Sequence, residues 1–492
     1  MTVRSNSDFT IVVVGAGFAG LGMGIRLKQA GIESFTILEK ADDVGGTWRD
    51  NSYPGCACDV PSHLYSYSFE PYPGWTRTYS RQPEIWDYLR RCAEKYRLRP
   101  HIRFNTELDR AAFDDASGTW RIRTKQGGSL RAKALILATG GLSNPAYPKI
   151  DGIDAFQGKS FHSQQWDHGY DLRGKRVAVI GTGASAIQLV PQIAPRVERL
   201  DLYQRTPPWI LPRPDRAITP RERERFARHP GLQRLVRTAT YWLMELRVLP
   251  FVIGPRLMRY IQRIGERHLA ARIPDPALRK KLTPDYTIGC KRILIADDYY
   301  PTLLRANVHL IAEGIREIRA HGIVARDGTE RETDAIIYAT GFRATEPVER
   351  DVIKGREGVD IWDAWREGPE AFLGTTVAGF PNLFMIIGPN TGLGHTSMIF
   401  MIESQVEYIL DALRTMRVRN LKDVEVRAEV QAEYNRRIQA RLQRAVWSAG
   451  GCKSWYLDAH GKNVTLWPGF TWRFRRLTRR FRPHHYVLHV RD

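Results

Sequence analysis

A strand, turn and helix signal that occurs twice constrains this chain more than any other feature. An apolar run, Phe9 to Val14, leads into Gly15-Ala16-Gly17-Phe18-Ala19-Gly20 and then a helical pattern through Leu27. In such a turn Gly15 permits the sharp bend, Gly17 lets backbone approach a pyrophosphate, and Gly20 lets the helix pack closely on the strand. The next strand, Phe35 to Leu38, ends in Glu39, where a carboxylate can accept hydrogen bonds from ribose hydroxyls. The same order returns at Arg176 to Ile180, followed by Gly181-Thr182-Gly183-Ala184-Ser185-Ala186 and an apolar-periodic stretch through Ile187 to Ile193. The fold class expected is α/β, with two Rossmann-like dinucleotide-binding domains in one chain.

The residue at the end of each second strand separates the two nucleotides. After Leu200 to Tyr203 comes Gln204-Arg205-Thr206 instead of an acidic residue. The forked donors of a guanidinium match a 2′-phosphate, which a carboxylate would repel, so the nicotinamide partner expected is NADPH. The bland alternative for Arg205 is a surface arginine at a strand end. Two dinucleotide sites in one chain imply electron transfer from NADPH to a flavin, FAD.

Two further apolar strands, Leu135 to Leu137 and Ile336 to Tyr338, each run into Ala-Thr-Gly. Small residues there suit crossings between domains close to a cofactor. The expected division is a first FAD-binding part at 1–145, an NADPH-binding domain at 146–334, and a second FAD-binding part with the C-terminal segment at 335–492. Residues 214–283 break the alternating pattern and read as a helical insertion, with amphipathic stretches at Leu232 to Arg247 and Pro255 to Ile273. Trp242, Leu243, Val248 and Phe251 among arginines allow a peripheral membrane contact, but packing against a neighbouring domain or lining an entrance is the favoured role.

Composition excludes other classes. The chain has 492 residues and a formal charge of +21, but its basic residues are spread out and no nucleic-acid reader motif occurs, so no nucleic-acid partner is expected. The mild reading of the charge is steering of a polyanionic dinucleotide. Five cysteines without a paired framework fit a reducing cytoplasm. The N-terminus lacks the pattern of a secretory leader, and Tyr241 to Ile253, interrupted by Glu245 and Arg247, is too short to span a bilayer. No histidine spacing suggests a metal. Cys56 and Cys58, with one residue between them instead of two or four, do not form the redox pair that a disulfide reductase needs.

Residues 156–167 decide what the flavin does. They read Phe156-Gln157-Gly158-Lys159-Ser160-Phe161-His162-Ser163-Gln164-Gln165-Trp166-Asp167 and match F-x-G-x-x-x-H-x-x-x-W-D. Composition alone would produce about 0.001 matches to the four key positions. The segment resembles the signature of type I Baeyer-Villiger monooxygenases, within the flavin-containing monooxygenase superfamily, and the resemblance extends over nearly the whole chain. It implies an FAD-containing, NADPH- and O2-dependent enzyme that converts ketones to esters or lactones through a C4a-peroxyflavin.

By the same resemblance, Gly46, Thr47, Trp48, Ala57, Cys58, Asp59, Tyr65, Leu108 and Met398 fall where family members contact FAD. Arg205, Thr206, Lys291 and Arg292 fall in its NADPH-facing and basic segments. The mechanism implied needs a cation near the reacting oxygens, assigned to Arg292, with Asp59 pairing it because an unpaired buried charge is costly. A structural ion pair beside a cofactor is the alternative for these two. Phe156, Gly158, His162 and Trp166 are assigned a conformational role, since no proton transfer demands His162. The C-terminal string Ser454-Trp455-Tyr456-Leu457-Asp458 does not follow the pattern of the cyclic-ketone members. Two other functions stay open at this point: oxygenation of amine nitrogen or sulfide sulfur on the same cofactors, and a flavin-bearing binding protein without turnover.

Overall fold

The computed structural model describes residues 10–346 and 348–491. The N-terminal residues on which the absence of a leader was judged, and Phe9 of the first apolar run, lie outside the described residues. Each glycine turn heads its own five-stranded parallel sheet. In the first, the spatial order is Leu383–Met385, Ala134–Leu137, Ile11–Val14, Phe35–Leu38 and Ile102–Arg103. In the second it is Val308–Ile311, Arg199–Tyr203, Arg176–Ile180, Ala335–Tyr338 and Lys159–His162.

The strands read as unbroken apolar runs because both faces of each sheet are covered. Ile11 and Val13 face one core together with Phe18 and Leu21 of the helix Phe18–Gln29. Val12 and Val14 face a second core around Trp120 and Phe380. Complete burial of each such side chain contributes about 1.5–3 kcal/mol. A smaller antiparallel sheet, formed by Leu108–Asp114, Thr119–Thr124 and Ser129–Ala132, closes that second face.

One domain boundary is corrected. Ala335–Tyr338, placed by the sequence at the start of the returning FAD-binding part, pairs with Arg176–Ile180 and Lys159–His162 inside the second sheet. The crossing therefore comes after that strand. Here the two linkers run side by side: Pro145 bridges Phe342, Ala146 N–H donates to the Gly341 carbonyl at 2.9 Å, and Arg343 N–H donates to that of Asn144 at 3.0 Å.

Residues 214–283 hold the helices Pro220–Arg228, Pro230–Glu245, Met258–Arg272 and Pro276–Leu282. Three of the four begin with proline, whose fixed φ suits a first helical position. The helix Pro220–Arg228 is started by a capping box between Thr219 and Glu222. Pro230–Glu245 docks on the first FAD-binding part through Arg237, which donates to the His63 carbonyl at 2.7 Å, and Gln233, which donates to that of Tyr72 at 2.7 Å. Val248 and Phe251 are buried, whereas Trp242 and Leu243 are exposed. Among the described residues no helix is long and apolar enough to cross a membrane.

The cysteine reading is also corrected. Cys290 and Cys452 form a disulfide, which sequence spacing hides because 162 positions separate them. Cys56, Cys58 and Cys92 are free and buried.

Candidate active site

The two glycine turns adopt the same backbone. Gly15 has φ +102° and Gly181 φ +112°, a region that side chains disfavour, and a Cβ on either would strike the carbonyl of Ala138 or Ala339. The helices after these turns begin at Gly17 and Gly183 with no side-chain cap, leaving first-turn N–H groups for an anion. Around Gly183 a Cβ would meet nothing within 4 Å, the open cradle a pyrophosphate requires. Of the other residues at this turn, Thr182 Oγ1 donates to the Thr206 carbonyl at 3.0 Å, and Ala186 and Ile187 are buried.

Glu39 is buried and already accepts Ala16 N–H at 2.8 Å, Ala41 N–H at 3.1 Å and Arg49 Nη1 at 2.9 Å. A carboxylate has about four acceptor positions, so one remains for a ribose. Phe18 and Trp48 meet the Tyr65 ring edge-on at 5.3 and 5.5 Å, and Trp48 Nε1 donates to Tyr65 Oη at 3.1 Å. Gly46 and Thr47 start the short helix Thr47–Asp50, Ala57 exchanges hydrogen bonds with the Gln188 side chain, and Met398 opens the helix Met398–Val418. Leu108, partly buried, packs on the core on the other face of the first sheet.

Arg292 and Asp59, 233 positions apart, meet in a fork: Nε to Oδ2 and Nη2 to Oδ1, each at 2.7 Å. The pair is densely surrounded, yet 34% and 27% of the two side-chain areas stay accessible, as for groups lining an internal cleft. The Asp59 carboxylate raises the Arg292 pKa against the opposing effect of burial, so the guanidinium is charged throughout the working range. Beside it, burial and then the positive charge of Arg205 lower the Lys291 pKa, and the Lys291 ammonium lies 4.9 Å from the centroid of the Tyr286 ring. Two cations that repel each other while an aromatic ring backs one of them fit a phosphate, which would relieve the repulsion.

Buried polar atoms without a hydrogen-bond partner occur in the segment from Asn390 to Thr396, at Trp447 Nε1, which lies against Gly394, and at Tyr456 Oη, which the Arg292–Asp59 charges reach. Such atoms fit a polar ring system resting there, since unmet buried groups are costly. Tyr456 is the residue that motif reasoning missed. It is buried, its phenol is pushed up to about 12 by burial, and Arg292 and Asp59 are the charges that act on it. Its cue in the sequence is indirect: Cys452 stands four residues before it and Cys290 two before Arg292, so the disulfide brings the two segments together. Sequence reasoning also missed buried Glu245, which accepts Thr471 N–H and, at 2.9 Å, Thr471 Oγ1, and lies 3.6 Å from His395 Nε2.

The signature segment packs on the linkers. His162 meets Tyr147 and Phe342 edge-on at 5.6 and 5.7 Å, and Gln164 Nε2 donates to the Ser143 carbonyl at 2.7 Å. Trp166 packs on Phe161, and a Cβ at Gly158 would strike Phe156 and the Asp334 carbonyl. Among the described residues no group of three or more His, Cys, Asp or Glu side chains could hold a metal ion. Burial pushes the Cys56 thiol up to about 12, the reverse of what an attacking thiolate needs.

Two dinucleotide folds in one chain, with an arginine and a carboxylate paired between their segments, define a flavoprotein oxidoreductase reduced by a nicotinamide nucleotide. The sequence profile of the pyridine nucleotide-disulphide oxidoreductase family matches residues 12–235. A Baeyer-Villiger monooxygenase of Pseudomonas aeruginosa is 59% identical over 96% of this chain and 90% of its own length. Among solved structures, cyclohexanone monooxygenase from Rhodococcus sp. Phi1 bound to NADP+ is similar, with 28% identity, TM-score 0.85, and coverage of 98% of this chain and 99% of that one. So is OTEMO in complex with FAD and NADP, with 27% identity, TM-score 0.87 and the same coverage. The chain belongs to the Baeyer-Villiger monooxygenase family, enzymes that use FAD and NADPH.

Proposed function

We propose that this enzyme inserts one oxygen atom of O2 beside the carbonyl of a small ketone, with Arg292 and Asp59 as its charged centre. The observation that carries this reading is the forked, partly accessible Arg292–Asp59 pair, which joins segments 233 positions apart from the first and second nucleotide-binding regions. Bound FAD, reduced by NADPH, supplies the oxygen-activating chemistry. Arg292 presents a fixed cation where negative charge develops on the ketone oxygen, and Asp59 holds its fork in place so that no reorientation is needed during reaction. Lys291 and Arg205 hold the 2′-phosphate of NADPH, and Thr206 supports that segment. The turns at Gly15 and Gly181 carry the pyrophosphates of FAD and NADPH, respectively.

Phe156, Gly158, His162 and Trp166 transmit movement between the domains: His162 packs on both linkers, while Trp166 on Phe161 and Gly158 against Phe156 hold its segment in place. The enzyme works in the cytoplasm, which supplies NADPH.

The test gives the purified FAD-loaded protein NADPH, O2 and a panel of linear, aryl and cyclic ketones, amines and sulfides, with products identified by mass spectrometry. Esters or lactones are expected; oxygenation of heteroatoms alone would overturn the reading. Arg292→Ala should keep FAD bound and lose ester formation by about 100-fold or more. Full ketone oxygenation by that variant would remove Arg292 from the chemistry.

A further inference from the structure

The helical insertion turns an unusual surface outward. Nine of the eighteen exposed large apolar side chains among the described residues lie between Leu235 and Ile264. Trp242, Leu243, Ile253 and Tyr260 are 51%, 63%, 61% and 66% exposed. Leu235 and Trp242 recur at helical spacing on Pro230–Glu245 with Leu246 at its C-terminal cap, Tyr260 and Ile264 do so on Met258–Arg272, and the turn Leu249–Ile253 joins the two stripes. Soluble monomers seldom expose so concentrated an apolar face without a use for it.

The charge around the face is one-sided. Residues 234–267 contain seven arginines and two acids; the acid Glu245 is buried and Arg237 turns inward to His63, which leaves six arginines and Glu266 for the outer side. The C-terminal helix Thr471–Leu477 extends the surface, tied to the insertion through Glu245 and through Tyr241 Oη, 3.1 Å from Thr471 Oγ1. Residues 470–482 add six arginines and no acid, with Trp472 and Leu477 exposed.

We propose that this face docks on the surface of an anionic lipid bilayer. Apolar stripes with interfacial tryptophan and tyrosine, set among arginines, are what lets a peripheral element enter the headgroup boundary. A second copy of the chain fits poorly, because a two-fold contact would set arginine against arginine. Nucleic acid would use the arginines and leave the leucine and isoleucine stripes without a role. The site also gains from this placement: the inner side of the same segment, Phe251 and Met258, packs on Gly289, three residues before Arg292. A ketone dissolved in lipid would therefore be taken up next to the reacting centre.

The experiment sediments the FAD-loaded enzyme with vesicles of equal parts phosphatidylglycerol and phosphatidylcholine, and with phosphatidylcholine alone. Binding is expected to the anionic vesicles and to fall with added salt. Arg259→Gln with Arg263→Gln should weaken it roughly 25-fold, at about fivefold per arginine. Leu243→Gln with Ile253→Gln should weaken it about tenfold or more. Both double variants should oxidise NADPH in solution as the parent does. Failure to bind the anionic vesicles, equal binding to neutral ones, or unchanged binding of both variants would overturn the proposal. So would a concentration-dependent dimer abolished by the Leu243 and Ile253 substitutions, which would assign the face to a second copy.

Discussion

Single charges and their neighbours set the chemistry of the cleft. Lys291 lies close enough to Arg205 for the two cations to oppose each other, a cost that a bound 2′-phosphate would reverse. Lys291→Ala should raise the KM for NADPH by about tenfold or more with little change for NADH, as steady-state oxidation of the two nucleotides would measure. Equal loss for both nucleotides would contradict the assignment. A second residue-scale expectation concerns pH. Burial holds the His162 pKa at about 4, against 6.5 for the free side chain, and His63 likewise at about 4 through burial and then Arg237. Between those values the unfolded chain binds protons that the folded chain refuses. Stability should therefore be full above about pH 6.5 and fall as pH drops toward 4. The fall attributable to His162 is on the order of 2–3 kcal/mol, and urea midpoints of the parent and His162→Phe across this range would isolate it.

The segment Phe156–Trp166 shows how an element can matter without touching the reacting atoms. The strand Lys159–His162 lies at the edge of the second sheet, and its last residue packs on both linkers. Gly158 sits where a methyl group would collide with the Phe156 ring and the Asp334 backbone. Gly158→Ala should lower stability by about 1–3 kcal/mol in thermal unfolding and should leave FAD bound. This element was legible as a motif because its spacing is distinctive. Its partners were not legible, because Tyr147 and Phe342 are 15 and 180 positions away from His162 and carry no pattern. The boundary at Ala335–Tyr338 was misplaced for a related reason: an apolar strand ending in Ala-Thr-Gly reads the same whichever sheet receives it.

For the whole molecule, the Cys290–Cys452 bond links the Lys291–Arg292 segment to the C-terminal stretch that carries Tyr456. Cys452→Ser should reduce stability by about 2–5 kcal/mol and loosen the Tyr456 side of the cleft, as unfolding curves with and without reductant would register. An unchanged unfolding curve would mean that the link does not constrain the chain. The sequence alone determined the two nucleotide folds, the identity of both nucleotides and the signature segment, because each is encoded within a few tens of residues by glycine turns, strand ends and fixed spacing. Only the tertiary structure decided that Arg292 and Asp59 form a fork, that Tyr456 stands beside them, that Cys290 finds Cys452, and that the apolar stripes of the insertion face outward. Those facts depend on contacts between distant segments, and the free energy that selects them belongs to packing and charge pairing across the assembled domains.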